Sequence, residues 1–304
     1  MVSVIGFKSN LNKHFTEEIL PKEWNVIDFD DDKKFSADCF FQLNVKKQKT
    51  KSAKEYDFIL ESSKPYIVIE STLFRKNSFP IDVPEKFFYR LGWTHFLRSG
   101  NFNNKNSPPD RWNYIKKIQN IEIKDWQNKN KEHILLCLQK ASDSTLNSLY
   151  DKFDYYEEWI SDTISTIRKF SDRPIVIRPH VKGSTKINFN KFLSKNIFLS
   201  TTWNKRTIYE GGEGLEHDFK NAHAVVAYNS NVLVESTCEG IPSFPLSDES
   251  VVWDISNRIE NLETPNLNID RSQWLYDAGY MVWTVPEIKS GKAWEHLKGV
   301  YFNG

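Results

Sequence analysis
HAVVAYNSNVLVESTCEGIPSF, residues 223–244, carries the pattern that decides the fold. Ala224 to Tyr228 is an apolar run of small and β-branched residues, which suits a buried strand. The run breaks at Asn229-Ser230-Asn231. A stretch without Pro or Gly then continues to Glu239, and Gly240-Ile241-Pro242 ends it. The pattern predicts a strand, a tight turn, a short helix and the start of a second strand. In an open α/β sheet that turn lies beyond the carboxyl end of the strand, where ligands bind. Amides at a helix start carry partial positive charge and suit an anion such as phosphate. An ordinary helix cap built from the same short side chains is the other reading of Asn229, Ser230 and Asn231.

The same alternation runs through the chain. VSVIGF (2–7), WNVIDF (24–29), YDFIL (56–60) and YIVIE (66–70) read as strands. SGNFNNKNSPPDRW (99–112) is rich in Asn, Ser, Gly and Pro and predicts irregular structure. IQNIEIKDWQNKNKEH (118–133) is polar without a clear period and marks a domain boundary. Beyond it, HILLCLQ (133–139), RPIVIRPH (173–180) and NIFLSTT (196–202) read as strands. Residues 150–170 have helical spacing through Phe153, Tyr156, Trp159, Ile160, Ile164 and Ile167. Apolar strands alternating with helices predict parallel sheets covered on both faces. Two such runs predict two Rossmann-like αβα domains facing a cleft, residues 1–128 and 129–304.

Composition narrows the function classes. Hydrophobic residues make up 39% and charged ones 27% of the 304, a balance that folds. The formal net charge of +1 argues against a surface that coats nucleic acid throughout, though not against a local basic patch. Cys39, Cys137 and Cys238 are far apart, so neither a disulfide framework nor a zinc site is expected and a reducing compartment fits. The opening MVSVIGFKSN lacks a basic-then-apolar leader pattern. No apolar stretch approaches the roughly 20 residues that cross a bilayer. The expectation is a cytoplasmic protein with no membrane partner.

Glu235, one turn beyond the Asn-Ser-Asn turn, precedes Gly240 and Pro242. This E-x-x-x-x-G-x-P pattern resembles the donor-binding motif of the two-domain GT-B glycosyltransferases, most closely over residues 133–260. In that superfamily the Glu accepts hydrogen bonds from the ribose hydroxyls of a nucleotide sugar. Ser236 stands here where Ala is common, and Ser243-Phe244 where Val is common. IRPHVKGS (177–184) is similar to the matching segment of capsule-type and glycerophosphate-type GT-B transferases. The resemblance implies a nucleotide-sugar co-substrate, UDP-linked, and no other cofactor. Its donor-binding residues would be Gln139, Arg178, His180, Lys182, Asn229, Ser230, Asn231 and Glu235. A guanidinium fork and an ammonium suit a diphosphate. GT-B enzymes often work without a bound metal, because cations and amides balance the leaving group. The resemblance also implies a final helix that crosses back to the first domain, with Trp274, Trp283 and Trp294 as core anchors.

An inverting transferase needs a base for the acceptor hydroxyl. Glu70, His95 and Asp110 are the candidates in the first half, each also readable as a cap or ion-pair partner. A retaining enzyme needs no such base. The run at 273–297 and RLGWTHFLRSGNFNNKNSPPDRW (90–112) look like proteins of tailed bacteriophages. That likeness suggests a hydroxymethylated pyrimidine in double-stranded phage DNA as acceptor, in the host cytoplasm. Lys46, Lys47, Lys49, Lys51 and Lys54, with Arg75, Lys76 and Arg98, would then contact phosphates. A surface or capsular glycan is the alternative acceptor, and a non-catalytic sugar-nucleotide-binding module the alternative class.

Other signals are set aside. Asp28-Phe29-Asp30 matches the metal-holding D-x-D of one-domain transferases but reads better as a solvated acidic turn. GGEGLEHD (211–218) lacks phosphate-loop spacing and reads as a loop. No H-E-x-x-H or G-x-S-x-G is present.

Overall fold
The computed structural model describes residues 2–8, 18–30, 35–44, 53–74, 83–127, 131–181, 187–204 and 214–302. The chain forms two compact units. The first comprises Met1–Leu73, Ser78–Gln119 and Ser272–Gly304, the second Phe74–Asn77 and Asn120–Arg271. The sequence reading put the change at 128/129 and returned only the last helix to the first domain. In the structure the change lies at 119/120, and the whole of 272–304 belongs to the first unit.

The second unit holds a five-stranded sheet. Its strands are β6 (His133–Cys137), β7 (Ile175–Arg178), β8 (Ile197–Leu199), β9 (Ala222–Ala227) and β10 (Ser243–Pro245), in the order β10-β9-β6-β7-β8. Every pairing is parallel. The chain moves outward from β6 to β8, then returns to the other side of β6 for β9 and β10. The order therefore reverses between β6 and β9, and the crevice beyond their carboxyl ends is where such sheets take ligands. The core beside this sheet includes Ile134, Leu136, Ile177, Val226 and Phe244. It also holds Trp159, Ile160 and Ile167 of helix α3 (Tyr156–Phe170). The sequence reading started that helix near residue 150. Instead the Asp143 carboxylate accepts from the Thr145 amide at 3.0 Å and caps a short 3-10 turn, Ser144–Leu149.

The first unit holds a six-stranded sheet. Strands β1 (Val4–Phe7), β2 (Asn25–Ile27), β3 (Cys39–Leu43) and β4 (Tyr66–Ser71) pair parallel, in the order β2-β1-β3-β4. Beyond β4 lie β5 (Phe88–Trp93) and β11 (Val282–Thr284). Strand β5 is antiparallel to β4, and β11 to β5, so this sheet is mixed where parallel pairing was expected throughout. Three of these strands, β3, β5 and β11, escaped the sequence reading, the first two because a polar residue interrupts each apolar run. Gln42 in β3 and Arg90 in β5 are both 1% exposed. The Arg90 guanidinium donates to the Ser71 and Phe96 carbonyls and stacks 5.0 Å from the Phe96 ring.

The strand expected at 56–60 is instead part of helix α1 (Ala53–Glu61). Glu55 and Ile59, four residues apart, are buried on one face, while Lys54, Asp57 and Glu61 are exposed. Residues 110–112, expected to be irregular, begin helix α2 (Asp110–Ile118). Pro109 precedes it, Asp110 opens it and Lys116 and Lys117 close it, each complementing the helix dipole.

The C-terminal segment completes the first unit with helices α6 (Ser272–Gly279), α7 (Val285–Lys289) and α8 (Lys292–Lys298) around β11. Trp283 and Trp294 join a core with Trp24, Phe41 and Trp93, whereas Trp274 is half-buried. Arg111 of α2 ties the segment down. Its Nη1 and Nη2 donate to the Glu287 carboxylate at 2.9 and 3.2 Å. It also reaches the Gly279 and Val282 carbonyls and lies 3.7 Å from the Trp283 ring. Glu287 takes further donors from the Thr284 amide and hydroxyl and from Lys292 Nζ. Burial raises its pKa, but these donors, Arg111 first, more than offset that and hold it at about 2.

This ion pair stabilises the fold at neutral pH. Because the folded pKa is depressed from 4.5 to about 2, the contribution is present above pH 4.5 and lost as pH falls through 2. It is on the order of 3 kcal/mol. Glu287→Gln should be less stable than the parent by that order near pH 6, with the gap closing on acidification. Urea unfolding across this range checks it, and a gap independent of pH refutes it.

Candidate functional site
At the point where the strand order of the second unit reverses, Gln139 follows β6 and Asn229 follows β9. Their side chains bond to each other. Gln139 Nε2 donates to Asn229 Oδ1 at 2.9 Å, and the Asn229 amide donates to Gln139 Oε1 at 3.1 Å. Gln139 Nε2 also donates to Thr145 Oγ1 at 3.0 Å, and Asn229 Nδ2 to the Thr145 carbonyl at 3.0 Å. Thr145 Oγ1 donates to Asp143 at 2.9 Å. The Tyr156 hydroxyl accepts from the Gln139 amide at 3.0 Å, and burial pushes its pKa up. Gln139 and Asn229 are 8% and 3% exposed. The Asn229 amide, read from sequence as facing an anion, is thus taken by Gln139.

The turn leads into helix α5 (Val232–Cys238), seven residues long. Its cap is Asn231, whose side chain makes no capping bond, and Ser230 Oγ accepts from the Val232 amide at 3.3 Å. Every residue from Val232 to Gly240 is buried except Glu235, which is half-exposed. Glu235 also lies within electrostatic reach of Cys137 at the end of β6. That thiol is pushed up chiefly by burial, with Arg178 lowering it and Asp218 and Glu235 raising it further. The helix ends in a Schellman arrangement, Ile241 N–H to the Ser236 carbonyl at 2.8 Å and Gly240 N–H to Thr237 at 3.3 Å. Gly240 has φ +72°, and a Cβ there would lie 2.0 Å from the Asp125 carbonyl oxygen. The glycine of the G-x-P signature is therefore required by a crossing backbone.

That crossing segment and the segment before α6 brace the end of α5. The Lys124 amide donates to the Cys238 carbonyl at 2.9 Å and the Gln127 amide to Gly240 at 2.8 Å. Arg271 donates to the Thr237 carbonyl at 2.6 Å and the Lys124 carbonyl at 2.8 Å, and covers the Trp126 ring at 4.2 Å.

Arg178 ends β7 and was expected to clasp a diphosphate. Its Nη1 instead donates to Asp218 of helix α4 (Gly214–Phe219) in a buried ion pair. Ser200 Oγ, Thr202 Oγ1 and the Gly214 carbonyl surround the same nitrogen at 3.2 to 3.3 Å. Asp218 lay in the stretch read as a loop and was not proposed. His180, two residues past β7, is half-buried at the same strand-end edge as Gln139 and Asn229. Lys182 lies outside the described residues.

The three candidate bases are separated within the first unit. Glu70 stands at the carboxyl end of β4, opposite Arg90. Trp93 of β5 pairs with Ile67, and the Thr94 amide donates to the Tyr66 carbonyl at 2.9 Å. His95 therefore lies at the other edge of the sheet, at least roughly 10 Å along the strands from Glu70. There its Nδ1 accepts from the Leu97 amide at 3.0 Å and its ring stacks on Phe96. Asp110 opens α2, where Oδ1 accepts from the Tyr280 hydroxyl at 2.9 Å. Arg98 is in the same turn as His95, and Lys54 is exposed on α1. Lys46, Lys47, Lys49, Lys51, Arg75 and Lys76 lie outside the described residues.

Asp28 of the D-x-D accepts from Lys8 Nζ at 2.9 Å, with both side chains mostly exposed. Among the described residues, no group of three or more His, Cys, Asp or Glu could hold a metal ion, and no helix is long and apolar enough to cross a membrane.

No protein-family model matches the sequence, and no curated protein does. Solved structures do match. One is Thermosulfurimonas dismutans KpsC, beta Kdo 2,4 transferase, with a TM-score of 0.57 at 9% identity, over 93% of this chain and 92% of that one. Another is the beta Kdo 2,7 transferase of KpsC from the same organism, with a TM-score of 0.56 at 12% identity, over 98% and 99%. At these identities what is shared is the fold, two Rossmann-like α/β units.

Two consequences can be measured. Gln139→Ala and Asn229→Ala should each destabilise by about 2 kcal/mol, since each strands buried partners. The double variant should fall short of their sum by about 1 kcal/mol or more; strictly additive unfolding energies would show that the two amides do not depend on each other. Gly240→Ala should cost about 3 kcal/mol or more, from backbone strain and the clash with Asp125. A denaturation midpoint equal to the parent's would contradict the crossing.

Proposed function
We propose that the chain is a glycosyltransferase that moves a sugar from a nucleotide-sugar donor to a hydroxyl of a surface glycan. One observation carries the reading. Glu235 is the single unburied residue of a braced helix at the edge where the strand order reverses. A carboxylate so placed can accept two hydrogen bonds from vicinal ribose hydroxyls. His180 follows β7, two strands from β9 at the same edge of the sheet, and in this reading it would meet the leaving phosphate. Within the first unit Glu70 is the base candidate, as the one carboxylate of the three at a strand's carboxyl end. In an inverting transfer it would take the acceptor proton while the new C–O bond forms and the nucleotide departs with the bonding pair.

The Kdo transferases that share the fold support a glycan acceptor over DNA. The DNA reading has less behind it, because Arg98, one of its proposed phosphate contacts, sits at the sheet edge opposite Glu70. The donor is taken as the only co-substrate, with UDP-linked sugars and nucleotide-activated Kdo as the two classes to compare.

The test incubates the chain with both donor classes and with a Kdo-bearing oligosaccharide or hydroxymethylcytosine DNA, reading products by mass spectrometry. Transfer to the oligosaccharide is expected. Glu235→Gln should weaken donor binding about 10- to 100-fold, the loss for hydrogen bonds to a charged group. Donor binding untouched by that change sinks the assignment of Glu235. A sugar adduct on DNA alone sinks the glycan acceptor, and donor binding without turnover on any acceptor leaves the non-catalytic module.

A further inference from the structure
A cavity of about 440 Å³ opens in the first unit, and none of its lining residues is one assigned above to the donor. Asp110 and Tyr114 of α2 line it, with Thr284 at the end of β11 and Glu85 across from them. Its charged lining includes Arg111, Glu287 and Lys292, with Glu287 bonded to both cations. Glu287 has both oxygens occupied, by the Arg111 fork, Thr284 and Lys292. Arg111 and Lys292 share the one carboxylate of Glu287, which leaves one net positive charge on the mostly exposed Lys292, and Glu85 and Asp110 outweigh it. Glu85 and Asp110 are exposed carboxylates, which repel anions and accept hydrogen bonds from hydroxyls. One Asp110 oxygen takes the Tyr280 hydroxyl, and the other has no partner among the described residues. Tyr114 is 42% exposed and presents an aromatic face beside them. An aromatic face with planar carboxylates around it matches a pyranose ring, whose C–H face stacks while its edge hydroxyls donate.

The cavity is also in line with Glu70. Glu70 pairs with Arg90, and Arg90 with Val282. Thr284, two residues on from Val282, thus ends at the same edge of the sheet as Glu70. Only β5 separates β4 from β11, so the lateral offset is two strand spacings, roughly 10 Å. A short oligosaccharide can span that.

We propose that this cavity is a subsite for an uncharged sugar of the acceptor glycan, with Tyr114 as the stacking platform and Asp110 and Glu85 as hydroxyl acceptors. The assignment rests on the glycosyltransferase reading for its role, but saccharide binding here can be measured without any donor. The experiment titrates the full chain with maltotriose, chitotriose, free Kdo and spermidine, followed by saturation-transfer NMR. A neutral trisaccharide should bind, and Tyr114→Ala should weaken it about tenfold, the loss for one aromatic contact. Tyr114→Phe should retain binding, and Glu85→Gln, at an exposed position, gives a second variant that keeps the fold. The subsite is overturned if neither trisaccharide binds, if spermidine or Kdo alone binds, or if both Tyr114→Ala and Glu85→Gln bind like the parent. Trisaccharide binding lost in Tyr114→Ala, in a chain that transfers sugar from no donor, would overturn the proposed function and leave the saccharide site standing.

Discussion
Two primary amides, those of Gln139 and Asn229, join the carboxyl ends of β6 and β9 where the strand order of the second sheet reverses. In a sheet of this order the backbone at that point diverges, and its polar groups lose their ladder partners. The reciprocal bonds between Gln139 and Asn229 restore them, and Thr145, Asp143 and Tyr156 complete the network. Buried in low dielectric, such a network is stiff only if every member is satisfied. Its stiffness sets where the chain leaves β9, and so where α5 begins and Glu235 emerges.

The far end of α5 is held just as firmly, by a different device. Gly240 yields to the backbone at Asp125, which leaves no room for a side chain, and the amides of Lys124 and Gln127 bond to the carbonyls at 238 and 240. Arg271 adds a cation at the carbonyl end of the helix, where the dipole favours one. A helix of seven residues has little stability of its own. Anchored at both ends, it becomes a fixed mount for the one side chain it leaves half-exposed.

Much of this was legible in residues 223–244, because the strand, turn, helix and G-x-P each follow from local chemistry. Glu235 stood out for the same reason. The ion pair of Arg178 was not legible, because a strand-end arginine looks alike in sequence whether it meets a ligand or a buried aspartate. Its partner Asp218 is 40 residues away, in a stretch whose glycines suggested a loop. His95 and Glu70 both follow or end strands, but only the antiparallel course of β5 puts them at opposite edges. That direction depends on pairing between strands and leaves no mark on either segment alone. Strands β3 and β5 were hidden by Gln42 and Arg90, polar residues that tertiary contacts bury. The cavity beside α2 depends on Glu287, which lies 176 positions from Arg111.

Two buried serines, Ser236 in α5 and Ser243 in β10, are themselves paired. A lone hydroxyl at either buried position would cost stability. Here the two hydroxyls bond to each other at 2.8 Å, Thr237 Oγ1 meets Ser243 Oγ at 2.8 Å, and both serines reach the Leu233 carbonyl at 3.0 Å. A small polar cluster thus does the work that methyl packing would otherwise do at the joint between α5 and β10. Glu235, one residue before Ser236, is held by a joint that these hydroxyls close.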